Sequence, residues 1–240
     1  MAEFQARLDE LRTRISAQSD RVYDLLLRAV DVAFDLDPDR ARELVGEDEA
    51  IDREDVEIER ACVSTLTLPE SDEYRVRAVV AIVKINNELE RIADCAVNIA
   101  AVVEEYGDDF SERPPATFRV MANSVIGIVR DASRALAELN VDLAQQVLGF
   151  DETVTTFKDE IGLDAEQRVA EGSFSVSFAF RLRTIVAQLE RAADHATNIC
   201  EQVIYLQSGK TVVHRGGKWS APTLPDGPGA GHGDEAGSGS

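Results

Sequence analysis

Two rows of oxygen-bearing side chains stand one hundred residues apart. Residues 89–100 read LERIADCAVNIA and residues 189–200 read LERAADHATNIC, identical at eight of twelve positions. On a helix, residues four apart share a face. Glu90, Asp94 and Asn98 therefore form one row, and Glu190, Asp194 and Asn198 a second. Upstream, LVGEDEAID at 44–52 is matched by VLGFDETVT at 147–155. Asp48, Asp52, Asp55 and Glu59 fall at i, i+4, i+7 and i+11, which is a continuous acidic stripe. The second copy keeps Asp151 but has Thr155 where the first has Asp52. Carboxylates from two facing helices are hard ligands, suited to magnesium, calcium, manganese or iron. The candidate metal ligands are Asp48, Asp52, Glu90 and Asp94 in the first half, and Asp151, Glu190 and Asp194 in the second. The plain alternative is a pair of solvated acidic faces, on which like charges at i,i+4 cost only about 0.2–0.5 kcal/mol per pair. His195 follows Asp194 but points about 100° away on a helix, off the acidic row. Arg91 and Arg191 recur as well and are expected to pair with the neighbouring acids.

The elements that position these rows are helices. No proline falls between residues 70 and 113 or between 116 and 221, and proline breaks helix interiors. Within those spans Ala, Leu, Glu, Arg and Val dominate, and apolar residues recur at three- and four-residue spacing. The pattern predicts six helices, at about 3–36, 38–66, 72–106, 116–139, 141–161 and 174–206. Asp37 should cap the second, with Pro38 as its first residue. Gly107 and Gly209 should stop the third and sixth. The Pro114-Pro115 pair separates the halves. The chain thus reads as all-α, two tandem three-helix bundles at 1–110 and 114–210, followed by a Gly/Pro-rich tail at 216–240 that is expected to be disordered.

Composition narrows the classes of function. The 240 residues carry a net charge of −20 with 44% apolar residues. An acidic body offers no basic patch for nucleic acid and no polybasic segment for anionic lipid. No run of 18 apolar residues is present to span a membrane. The opening residues, MAEFQARLDELRTR, read as a charged amphipathic helix without a signal-peptide apolar stretch. Cys62, Cys95 and Cys200 are too few and too far apart for a disulfide framework or a zinc ribbon. Cys95 and Cys200 read as small buried hydrophobes, and the cysteine usage fits a reducing cytoplasm. A di-iron carboxylate oxidase would need Glu-x-x-His pairs. The residues three before His195, His214 and His232 are Ala192, Thr211 and Gly229, so that enzyme signature is absent.

The paired L-E-R-x-A-D-x-A-x-N-I segments resemble the signatures of the PhoU family. The stretch from Asp48 to Asp52, then Glu57, Ile58, Glu59 and Cys62, is similar to the family's second-helix pattern. The ending VIYLQSGKTVVH at 203–214 resembles the end of family members, and the likeness covers about residues 5–214. The resemblance implies two tandem three-helix bundles, a homodimer in the cytoplasm and no enzymatic activity. It implies negative regulation of phosphate uptake, with the transporter's ATPase subunit and a sensor histidine kinase as partners. It also implies iron or zinc at the E/D-x-x-x-D positions, which here are Asp48, Asp52, Glu90, Asp94, Asp151, Glu190 and Asp194. The chain departs from the family pattern at Thr155, at Ala93 and Ala193 in place of glycine, and across TLPESDEYR at 67–75. A regulator of another transporter, such as a sodium–phosphate symporter, and a metal-free helical interaction protein are the readings that stay open.

Overall fold

The structure, a computed structural model, describes residues 2–69, 72–106, 112–209, 213–215 and 218–220. Among these are eight helices: α1 (Ala2–Asp35), α2 (Pro38–Leu44), α3 (Asp48–Leu66), α4 (Glu73–Tyr106), α5 (Ala116–Glu138), α6 (Val141–Leu148), α7 (Asp151–Ala170) and α8 (Val176–Ser208). Each half is therefore three long helices and one short one, in the same order.

The two extra helices correct the expected six. The predicted helices at 38–66 and 141–161 each break near a glycine, at Gly46 and Gly149, leaving α2 and α6 as separate short pieces. Glycine in a helix interior costs about 1 kcal/mol relative to alanine. At the first break, Arg28 of α1 donates to Glu47 across 2.8 Å and holds the junction against α1. The break places Asp48 in the first turn of α3 instead of mid-helix, where the helix dipole favours an acid. The helix expected to end near Ile161 instead continues through Gly162 to Ala170. The Asp164–Arg168 pair at i,i+4 supports its last turns.

Caps follow the chemistry of the sequence. Asp37 accepts from the backbone N–H groups of Asp39 and Arg40, with Pro38 leading α2. Asn140 does the same for Leu143 at the start of α6. Leu36 and Leu139, which precede these caps, both sit at positive φ, 53° and 49°, so even the strained turn is duplicated. Gly209 ends α8 at φ +69°. The end of α4 is at Tyr106, and Gly107 lies outside the described residues.

The core runs through both halves. Phe4, Leu8, Leu11, Ile15, Leu25 and Leu26 line the inner face of α1, and Ile82, Ile85, Leu89 and Ile92 that of α4. The halves join mainly through α4 against α8, with α1 against α5 beside them. Ser19 Oγ donates to Ser133 Oγ across that second seam at 2.8 Å. Val56 and Val63, on the same helix as the acidic stripe, are exposed. Within the expected tail, Lys218–Ser220 pairs antiparallel with Val213–Arg215. Residues 221–240 lie outside the described residues.

Candidate metal-binding faces

In the first half, α3 and α4 bring two polar rows together. Asp55 of α3 is held by Asn86 of α4, whose amide nitrogen donates to the Asp55 side chain at 2.6 Å and to its carbonyl at 2.9 Å. Asn86 is 3% exposed, and its other amide atom, Oδ1, is buried without a hydrogen bond. One turn along α4, Glu90 Oε2 is also buried without a hydrogen bond. Arg91 Nε lies 3.2 Å from it, close enough for ion pairing but not aligned to donate. Arg91 also lies 3.4 Å from Asp94, one further turn on. Asn86, Glu90 and Asp94 thus form an i, i+4, i+8 row of oxygens facing α3.

The electrostatics show that this face resists its own charge. The carboxyls of Asp52, Asp55 and Glu90 are all pushed above the usual carboxylate range, in each case first by burial. For Asp52 the next causes are Asp48 in the same helix and Asp94 across it. For Asp55 they are Glu59 and Asp52. For Glu90, Asp94 raises the value further, Arg91 opposes it, and Asp55 and Asp52 add to it. Among the described residues, no three Asp, Glu, His or Cys side chains converge into a ready-made ligand set. The donor chemistry nonetheless fits a hard cation. The ligands are oxygens from two helices, two of the buried oxygens accept no hydrogen bond, and the surplus negative charge has no full counter-charge. Asp48, Asp52, Asn86, Glu90 and Asp94 would hold such an ion.

The second half has the same helices but different chemistry. Asp151 opens α7, and its side chain lies outside the described residues. Thr155 and Asp194 are exposed. Glu190 is bonded to Lys158 of α7, with Nζ 2.8 Å from Oε1. That bond, first of all, raises the Lys158 ammonium above its usual range, with the nearby charges of Asp159 and Asp194 adding to it. Beyond this pair a cleft of about 840 Å³ opens between α7 and α8 and runs to the exposed Phe180 and Val176. The structure therefore brings the first-half candidates to one face but does not assemble Glu190 and Asp194 as a cation-binding set.

The remaining groups are structural. His195 Nδ1 lies 2.8 Å from Glu88 Oε2, and Asn198 donates to the same oxygen at 3.1 Å, so both clamp α8 to α4. Cys95 and Cys200 are free and buried, as expected, and so is Cys62. Burial pushes the thiols of Cys62 and Cys95 up to about 11 and that of Cys200 to about 12, so none is a ready nucleophile.

Two residues escaped the reading of the sequence. Asn86 lies four residues before Glu90, and extending the E-x-x-x-D row by one turn finds it. Lys158 stands 103 residues after Asp55, and carrying the upstream match past Thr155 exposes the reversal of charge.

Comparison with known proteins agrees with this duplicated architecture. The PhoU domain matches twice, over residues 15–103 and 118–203. The phosphate-specific transport system accessory protein PhoU homolog 1 of Thermotoga maritima is 29% identical over 210 residues, spanning 87% of this chain and 90% of that protein. The Pseudomonas putida homologue is 30% identical over 215 residues, spanning 89% and 84%. The crystal structure of PhoU from Pseudomonas aeruginosa superposes with a TM-score of 0.81 at 29% identity, over 86% of this chain and 99% of that one. The Streptococcus pneumoniae phosphate transport system regulatory protein PhoU gives a TM-score of 0.80 at 23% identity, over 88% and 100%, a likeness of fold. With both of its helical halves matched, the chain is a non-enzymatic member of the PhoU family.

Proposed function

We propose that this chain is an accessory regulator of phosphate uptake that acts through its helical surface while holding a hard cation between α3 and α4. The observation that carries the reading is the double PhoU match, which covers the same two helical halves that bear the acidic rows. Relatives named as accessory proteins of the phosphate-specific transport system support the assignment to phosphate transport. The partners in this reading are the ATPase subunit of a phosphate transporter and a sensor histidine kinase, and the protein works as a homodimer in the cytoplasm. No helix among the described residues is long and apolar enough to cross a membrane, so contact with a membrane transporter is assigned to the helical surface.

Iron, zinc, manganese or magnesium at the first face would supply positive charge that offsets the repulsion among its carboxylates. The chain's own residues set up that requirement. Asp48 and Asp52 project from the start of α3, Asn86 fixes Asp55, and Glu90 and Asp94 face them from α4. Without a counter-charge the two rows repel and loosen α3 from α4. With one, the helices close, and the α3 surface that carries exposed Val56 and Val63 takes one defined position. The signalling surface and the ion are thereby coupled.

Two experiments test the function. Clean deletion of the gene, with no paralogue present, should leave phosphate uptake or phosphate-starvation genes active when phosphate is abundant. Normal repression in that strain would refute the phosphate reading and leave the fold intact. A pull-down from phosphate-replete cells should recover transporter subunits and a histidine kinase. Recovery of a sodium–phosphate symporter in their place would move the role to that transporter.

A further inference from the structure

We propose that in the second half the Lys158 ammonium stands where a bound cation would, so that this chain takes metal at the α3–α4 face alone. The inference rests on the metal reading of that first face. Its evidence is a position-by-position comparison of the two copies. Asp52 corresponds to Thr155, Asp55 to Lys158, and Asn86 to Val186. Each change removes an oxygen from the second face, and one of them adds a positive charge.

The geometry shows the consequence. In the first half Glu90 Oε2 is buried without a hydrogen bond. In the second half the equivalent Glu190 accepts from Lys158 Nζ at 2.8 Å. The two glutamates are almost equally accessible, at 24% and 23% of the side chain, so solvent does not account for the difference. A divalent ion approaching Glu190 would have to displace a tethered ammonium whose effective concentration is fixed by the fold. It would also meet at most Asp151, Glu190 and Asp194 as acidic ligands. One copy of the repeat is therefore ion-responsive and the other is internally neutralised.

The test counts manganese(II) on the full-length, chelator-stripped protein, reading free ion by its EPR signal during titration. In Glu90→Gln/Asp94→Asn the affinity should fall tenfold or more. In Glu190→Gln/Asp194→Asn it should stay within twofold of the wild type. Thr155→Asp/Lys158→Asp should bind additional manganese, and adding Asp194→Asn should abolish the gain. A tenfold loss on Glu190→Gln/Asp194→Asn with Lys158 intact would overturn the inference. So would a folded Thr155→Asp/Lys158→Asp protein with no extra ion. If the wild type takes up no manganese, the first-face reading fails. The Lys158 inference is then still decided by whether the double substitution gains an ion that depends on Asp194. If that variant does not fold, Lys158→Gln decides. Manganese should raise its melting temperature more than that of the wild type, and an equal rise would refute the replacement.

Discussion

Replacing Glu90 by Gln should move stability in opposite directions with and without metal. The substitution keeps shape and removes one charge. In the metal-free protein Glu90 is opposed by Asp94 one turn away and by Asp55 and Asp52 across the helix pair, while Arg91 attracts it. Like-charge neighbours cost about 0.2–0.5 kcal/mol each and an exposed attractive pair contributes a similar amount. Three repulsions less one attraction leave a net gain of about 0.4–1 kcal/mol for the variant. At about 2–4 °C per kcal/mol for a chain of this size, the metal-free melting temperature should rise by about 1–4 °C. With metal the sign reverses. An ion at one hundred times its dissociation constant stabilises the wild type by about 2.7 kcal/mol, or about 5–11 °C. A tenfold weaker site loses about 1.4 kcal/mol of that. Scanning calorimetry of chelated and manganese-loaded samples reads both effects. A variant that melts lower than the wild type without metal, and gains as much as the wild type with it, would refute the electrostatic account of this face.

The acidic face also predicts a pH dependence. Folded Asp52, Asp55 and Glu90 have pKa values above their ordinary 3.8 and 4.5, so the native state binds protons more tightly than the unfolded chain. Their contribution to stability is fully present below those ordinary values and is lost as pH rises through the raised ones. Metal-free protein should therefore gain stability as pH falls through the raised values toward 4.5 and 3.8, and the triple change Asp52→Asn, Asp55→Asn and Glu90→Gln should flatten that slope in thermal melts at several pH values. Glu47, depressed first by its bond to Arg28, runs the other way, contributing above 4.5 and losing its effect as pH falls through its lower folded value. At the end of α8, Gly209 sits at φ +69° with the Arg77 guanidinium 2.5 Å from where a Cβ would stand. Gly209→Ala should cost about 1–2 kcal/mol, whereas Gly172→Ala, at φ +76° but with open space around it, should stay near 1 kcal/mol in denaturant melts.

Local rules made much of this protein readable from its residues. The repeat, the long proline-free spans, the Asp37-Pro38 and Asn140 starts and the Gly209 stop all act within one or two turns of helix. Side-chain spacing, backbone propensity and capping bonds decide them without distant partners. The candidate oxygens were legible for the same reason, because i,i+4 spacing is local. The same locality misled at Gly46 and Gly149. A lone glycine is tolerated in many helices, and at Gly46 its modest cost combines with an ion pair from α1 that the linear pattern does not show.

Pairing across helices was decided only by the tertiary structure. Nothing in the row Glu190–Asp194 states that Lys158 will reach Glu190, nor does the row Glu90–Asp94 state that Glu90 Oε2 will be buried without a hydrogen bond. His195 likewise became a clamp on Glu88 because α8 packs against α4. Whether a carboxylate repels, pairs or awaits an ion depends on which charge the neighbouring helix brings within about 4 Å and how much water remains between them. The amino-acid order sets which groups are available on each face, and the packing of one helix on another sets which of them meet.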